Sequence, residues 1–189
     1  MTEEANWRRF EALALPHADA AYNLARWLVR NDHDAQDAVQ DAFVRALKYM
    51  DTFRGDNARA WLLQVVRNSC FTWLKENRPA GQTSIDDEEG ALEIPGPAAD
   101  EPQAVAARQD ERARIDAAIA ALPFAFREVL VLREFEDLAY KDIARIAEIP
   151  IGTVMSRLAR ARALLREALA PSARPVLREV PRPTANGRA

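Results

Sequence analysis

The sequence predicts an all-α protein, built as two small helical domains joined by a flexible acidic linker. Three observations carry that expectation. Alanine, leucine, arginine and glutamate dominate, glycine occurs only six times in 189 residues, and no β-branched run is present. Apolar residues recur at i, i+3, i+4 spacing in two separate blocks, which is the signature of helices with one buried face. Between the blocks, residues 79–105 are rich in Pro, Gly and acid and lack periodicity, the composition of an extended or disordered tether.

In chain order, residues 3–15 and 17–30 read as helices, the second with Ala21, Leu24, Ala25 and Leu28 on one face. The stretch "DHDAQDAVQDAFVRALKYM" follows, with Ala35, Ala38, Val39, Ala42, Phe43, Ala46, Leu47 and Met50 in helical register. Asp32 or Asp34 is placed to cap it. A turn, "DTFRGDN", leads into "ARAWLLQVVRNSCFTWLKENR", which stops at Pro79 and closes a first domain over residues 1–78. Helical pattern resumes near Ala104 and runs to Pro123. A second domain over residues 106–170 then holds "FAFREVLVLREFED", "AYKDIARIAE" and "GTVMSRLARARALLREALA". The tail, 171–189, has four prolines and four arginines and reads as a disordered basic end.

Composition excludes several classes of function. The longest apolar stretches, such as "AWLLQVV", are too short to cross a bilayer, and the acidic N-terminus is unlike a signal peptide, so a cytoplasmic protein with no membrane insertion is expected. One cysteine, Cys70, rules out an internal disulfide, and with only His17 and His33 beside it no Cys/His zinc site can be assembled. Neither a metal nor a cofactor is expected. There is no glycine-rich phosphate loop and no spaced Ser/His/Asp set, which argues against an enzyme.

The net charge of −3 hides a segregation. Residues 82–111 carry nine acids and one base, whereas residues 151–189 carry eight arginines against Glu167 and Glu179. A basic face therefore exists inside an acidic protein, and a phosphate backbone responds to that local field rather than to the sum. Its centre is "GTVMSRLARARALLREAL". Val154, Leu158, Ala161 and Leu165 form an apolar stripe there, while Arg157 and Arg160 fall on the flank of the opposite face.

The segment before it supplies a helix over about 141–147 and a short break at "EIPIG". A new helix then starts near Thr153, a suitable N-cap. Ala144 is small where two helices must cross, and Ile143, Ile149, Val154 and Leu158 provide a shared core. This is the helix-turn-helix arrangement, whose second helix enters the major groove. A plain helical hairpin with solvated arginines has the same outline. The scarcity of compensating acid and the length of the turn favour DNA binding.

Two blocks resemble one family. "LPFAFREVLVLREFEDLAYKDIARIAEIPIGTVMSRLARAR" resembles the promoter-binding C-terminal domain of bacterial sigma-70 factors of the extracytoplasmic-function (ECF) group. "YNLARWLVRNDHDAQDAVQDAFVRALKYMDTFRGDNARAWLLQVVRNSCFTWLKENR" resembles the polymerase-binding, promoter-melting domain of the same group. The resemblance implies a dissociable initiation factor whose partners are core RNA polymerase, promoter DNA and an anti-sigma factor. By that resemblance Asp37, Gln40, Asp41 and Arg45 contact core polymerase, although an ordinary solvated face would look alike. Phe53, Asp56, Asn57 and Arg59 belong to the loop that captures a flipped base of the minus-10 element. Arg67, Asn68, Phe71, Lys75 and Arg78 would meet the opened strand as an aromatic and cationic groove. Trp61, Leu62 and Val65 have core spacing instead, and Trp73 suits either role.

Over the minus-35 element the resemblance places Thr153, Met155, Ser156, Arg157, Ala159 and Arg160, with Arg160 the leading base or phosphate contact. Arg162 and Arg166 would grip phosphate or solvate the helix end. The chain departs from its relatives at Met155, where a basic or polar residue is usual, at Ala159, where a larger one is usual, and at Glu148, where glycine is common. Met and Ala can offer only apolar contact, for example to a thymine methyl. Rival readings are a stand-alone helix-turn-helix regulator, with a dimerising N-terminal half and palindromic sites, and a mimic that sequesters an anti-sigma factor.

Overall fold

The computed structural model describes residues 3–55, 57–77 and 104–170. Every regular element among them is helical, and the first domain is built from four. Helix α1 (Glu3–Leu13) is shorter than periodicity predicts, because a 3-10 turn over Leu15–His17 takes up Pro16, which has no N–H to continue a helix. Helix α2 (Ala18–Val29) ends on Arg30 in the left-handed region, φ 64°, whose N–H is donated to the Arg26 carbonyl at 3.0 Å.

That reversal sets Asn31 in extended backbone at the head of α3 (Asp32–Lys48). Its Oδ1 accepts from the N–H groups of His33 and Asp34 at 2.9 and 3.1 Å. Asn31 is therefore the cap in place of the expected Asp32 or Asp34. Those two acids lie inside the first turn, where they complement the helix dipole. A 3-10 turn, Met50–Thr52, leads to α4 (Ala58–Glu76), capped by the Asn57 side chain on the Ala60 N–H at 2.9 Å.

Alanines explain how these helices meet. Ala35, Ala38, Ala42 and Ala46 line the inner face of α3 and are essentially inaccessible, so α2 and α4 approach its backbone closely. Leu24, Leu28, Leu62, Leu63 and Val66 fill the space between, each burial contributing roughly 1.5–3 kcal/mol. Cys70 is buried among them, and burial pushes its thiol up to about 12, which makes it packing rather than a reactive group.

The second domain comprises α5 (Ala104–Ala121), α6 (Phe124–Glu134), α7 (Tyr140–Ala147) and α8 (Ile151–Leu169). Val129, Leu132, Ile143, Ile146, Val154 and Leu158 form its centre, all close to fully buried. The two domains are not merely tethered. Helix α2 packs on α6 and α4 on α7, and the apolar side chains of both domains join in one continuous core. Buried Arg127 fastens this seam. Its guanidinium donates to the carbonyls of Ala120 and Leu122 at 2.9 and 2.6 Å, and to that of Leu28, across the seam on α2, at 3.3 Å. The predicted linker, but for its last residues, and the predicted basic tail lie outside the described residues.

Candidate nucleic-acid interface

The helix-turn-helix is formed by α7 and α8. Ile143, Ile146 and Ala147 turn inward from α7 and meet Val154, Leu158 and Ala161 of α8. Glu148, at φ 58°, makes the left-handed turn that glycine would make more cheaply, and its N–H is donated to Ala144. Helix α8 starts two residues before the expected Thr153 cap. The carbonyl of Pro150 accepts from the N–H groups of Thr153 and Val154 at 2.9 and 3.1 Å, so backbone does the work of a side-chain cap. Thr153 is half-buried in the first turn and its carbonyl accepts from Ser156 Oγ at 3.1 Å.

The outer face of α8 then carries Met155, Ser156, Ala159 and Arg160 in solvent, with Arg157 half-buried beside them. Among the described residues no carboxylate pairs with Arg157 or Arg160. Arg162 differs, because its Nη2 lies 2.6 Å from Glu134 Oε1 on α6, which braces α8 against its own domain. That hydrogen bond also holds the guanidinium pKa above its usual value. Arg162 is thus committed to structure in this conformer.

On α4, Arg67, Phe71 and Lys75 stack at i, i+4, i+8. The Arg67 guanidinium and the Lys75 ammonium each lie 5.0 Å from the Phe71 ring centre, so the three side chains form one aromatic and cationic column. Asn68 stands exposed beside it. Phe53 and Asn57 are used differently. Phe53 is packed in the core with its ring 5.0 Å from that of Trp61, and Asn57 caps α4. Leu62 is core as its spacing predicts, Trp61 and Val65 lean on that core, and Trp73 is half-buried. Asp56 and Arg78 lie outside the described residues.

Two cations near this column, Arg59 and Arg67, are already engaged by the second domain. Arg59 donates to the carbonyl of Glu136 at 2.7 Å and pairs with its carboxylate at 2.5 Å. Arg67 Nε pairs with the fully buried carboxylate of Glu128 at 2.5 Å. Phe71 faces Phe124 at 5.9 Å, and Trp27 faces Phe135 at 5.2 Å. Burial pushes the Glu136 carboxyl up despite the neighbouring Arg59, and burial with the same Arg59 charge pushes His17 down. Sequence reasoning missed Glu128 and Glu136. Their only signal was the presence of acids in a stretch of apolar and basic periodicity.

The third surface is the outer side of α3, where Asp37, Gln40, Asp41 and Arg45 are all exposed. Arg45 pairs with Asp41 at 2.7 Å, and Asp41 also accepts from Ser69 Oγ of α4 at 3.0 Å. Val44, 67% exposed among them, was also missed and is an apolar centre for this polar patch. No helix of the described residues is long and apolar enough to cross a membrane.

Comparison with known proteins matches the two helical blocks in order. Residues 13–79 match the family model for sigma-70 region 2, and residues 112–165 that for sigma-70 region 4. The RNA polymerase sigma-H factor of Pseudomonas aeruginosa is 34% identical over 177 residues, covering 91% of this chain and 90% of that protein. The ECF RNA polymerase sigma-E factor of Escherichia coli K12 is 33% identical over 150 residues, 77% of this chain and 76% of that one. Among solved structures, the sigma factor RpoE of Bartonella quintana in complex with the anti-sigma factor NepR has a TM-score of 0.65 at 26% identity, covering 85% of this chain and 96% of that chain. CnrH in complex with the cytosolic domain of CnrY has a TM-score of 0.62, also at 26% identity, covering 88% and 91%.

Proposed function

Because the chain belongs to the sigma-70 family, in its ECF group, and acts with RNA polymerase in promoter recognition and transcription initiation, we propose a division of labour among its three surfaces. Asp37, Gln40, Asp41 and Arg45, with Val44 at their centre, dock on core polymerase. Thr153, Met155, Ser156, Arg157, Ala159 and Arg160 sit on the minus-35 duplex, phosphate contacts fixing the helix and base-edge contacts choosing the site. Arg67, Asn68, Phe71 and Lys75, joined by Arg59, Asn57, Asp56 and Arg78, hold the opened minus-10 strand. Phe53 supports that loop from the core side.

The observation that carries this reading is the coexistence, on one chain, of a reading helix whose outward Arg157 and Arg160 pair with no acid among the described residues and a separate cation–aromatic column. The chemistry of RNA synthesis belongs to the polymerase, so the chain itself catalyses nothing and works in the cytoplasm. An anti-sigma protein is its natural regulator, since both structural relatives described above were solved with a protein partner, one of them called an anti-sigma factor.

Reconstitution tests the reading. Sigma-free core polymerase, the purified chain and a promoter library should give specific transcripts. Palindrome binding without polymerase and no transcripts would overturn it. Within that assay Arg160→Ala should reduce initiation at minus-35-dependent promoters by roughly 5- to 150-fold, the range of one good base contact. Its affinity for core polymerase should stay unchanged.

A further inference from the structure

Two large apolar side chains stand in solvent on the reading helix. Ile151 is 49% and Met155 54% exposed, although α8 already buries a complete inner line of Val154, Leu158 and Ala161. At 100° per residue from that line, Ile151, Met155 and exposed Ala159 descend one flank of the outer face, a turn apart. Thr153, Arg157 and Arg160 descend the other, with Ser156 between. From Ile151 to Arg160 the face is thus divided lengthwise into an apolar strip and a basic one, and Arg162 and Arg166 continue the line of the apolar strip further along the helix. Gly152 sits near its centre, and a Cβ there would meet nothing within 4 Å, so open space surrounds the start of the helix.

What fits such a face is constrained by its charge. The basic flank is unpaired by any acid among the described residues and matches a phosphate backbone. The strip beside it would then lie in the major groove. Among the features that distinguish base pairs there, the apolar one is the C5-methyl of thymine. We propose that Ile151, Met155 and Ala159 form a methyl-reading strip. The minus-35 preference of this factor is then set by thymine methyl groups on one side of the helix and by Arg160 on the other. The inference rests on the helix-turn-helix reading of α8 and adds Ile151, which neither spacing nor resemblance had singled out.

Replacing thymine by uracil removes the methyl and leaves every hydrogen-bonding group in place, which makes the test specific. The minus-35 sequence preferred by the reconstituted holoenzyme is first selected from random duplexes, and each thymine is then replaced by uracil. At one or more positions initiation should fall by about fourfold, the factor that burial of one methyl-sized group confers. Met155→Ala or Ile151→Ala should abolish the penalty at its own position, whereas Arg160→Ala should retain it. Both apolar side chains are exposed, so their removal leaves the domain folded. Uracil substitution without effect, or a penalty that Met155→Ala and Ile151→Ala both leave intact, overturns the strip. If initiation at the selected promoters still depends on Arg160, only the strip has failed, whereas a holoenzyme that selects no promoter overturns the sigma reading beneath it.

Discussion

Glu136 shows how one side chain can couple the two domains to pH. Its carboxylate is 4% exposed and faces Arg59, whose own side chain is 32% exposed. Burial raises the carboxyl above its ordinary 4.5, and the Arg59 charge only partly offsets this. Between 4.5 and the raised value, the docked chain holds a proton that the undocked or unfolded chain has already lost. The contribution of Glu136 to stability is therefore greatest on the acid side and falls as pH rises through that interval. Unfolding midpoints of the wild type and Glu136→Gln, measured across mildly acid pH, should differ by a term that declines in this direction. A difference that grows with pH would contradict the burial argument.

At the scale of helices, the spans of α3, α4 and α8 were legible because apolar periodicity repeats over many residues. The caps of α3 and α8 were not. Asn31, Asp32 and Asp34 all suit a cap, and only the left-handed Arg30, a consequence of how α2 stops, selects Asn31. In α8, Pro150 pre-sets the entry and its carbonyl supersedes the Thr153 side chain. Nor does the sequence around Phe53 and Asn57 announce that the first is recruited by the core and the second caps α4. The cap assignment is checkable by thermal or denaturant unfolding. Asn31→Ala should cost about 1 kcal/mol, whereas Asp32→Ala, which loses only a dipole interaction, should cost about half that or less. Equal losses would return the cap to the acid.

The arrangement of the whole molecule was the least legible part, because it rests on pairs far apart in sequence. Arg59 with Glu136 spans 77 residues and Arg67 with Glu128 spans 61. In each pair a carboxylate occupies the cation that the melting groove would offer to a phosphate. The reading face of α8, by contrast, remains open in the same conformer, with Met155 and Arg160 in solvent. On the proposed assignment, minus-35 recognition and strand capture have different conformational requirements: the first is compatible with docked domains and the second requires them to part. Core polymerase can drive that separation only to the extent that it binds the parted form more tightly. Weakening the seam should thus favour strand capture by the chain alone. Glu128→Gln combined with Glu136→Gln should raise affinity for a single-stranded minus-10 oligonucleotide, tenfold for each 1.4 kcal/mol or so removed from the seam. Affinity for a minus-35 duplex should not change. Phe135→Ala removes the ring facing Trp27, and because Phe135 is 48% exposed it tests the same idea without emptying the core. If both folded variants bound single strand no better than the wild type, docking of the domains would not limit access to the groove.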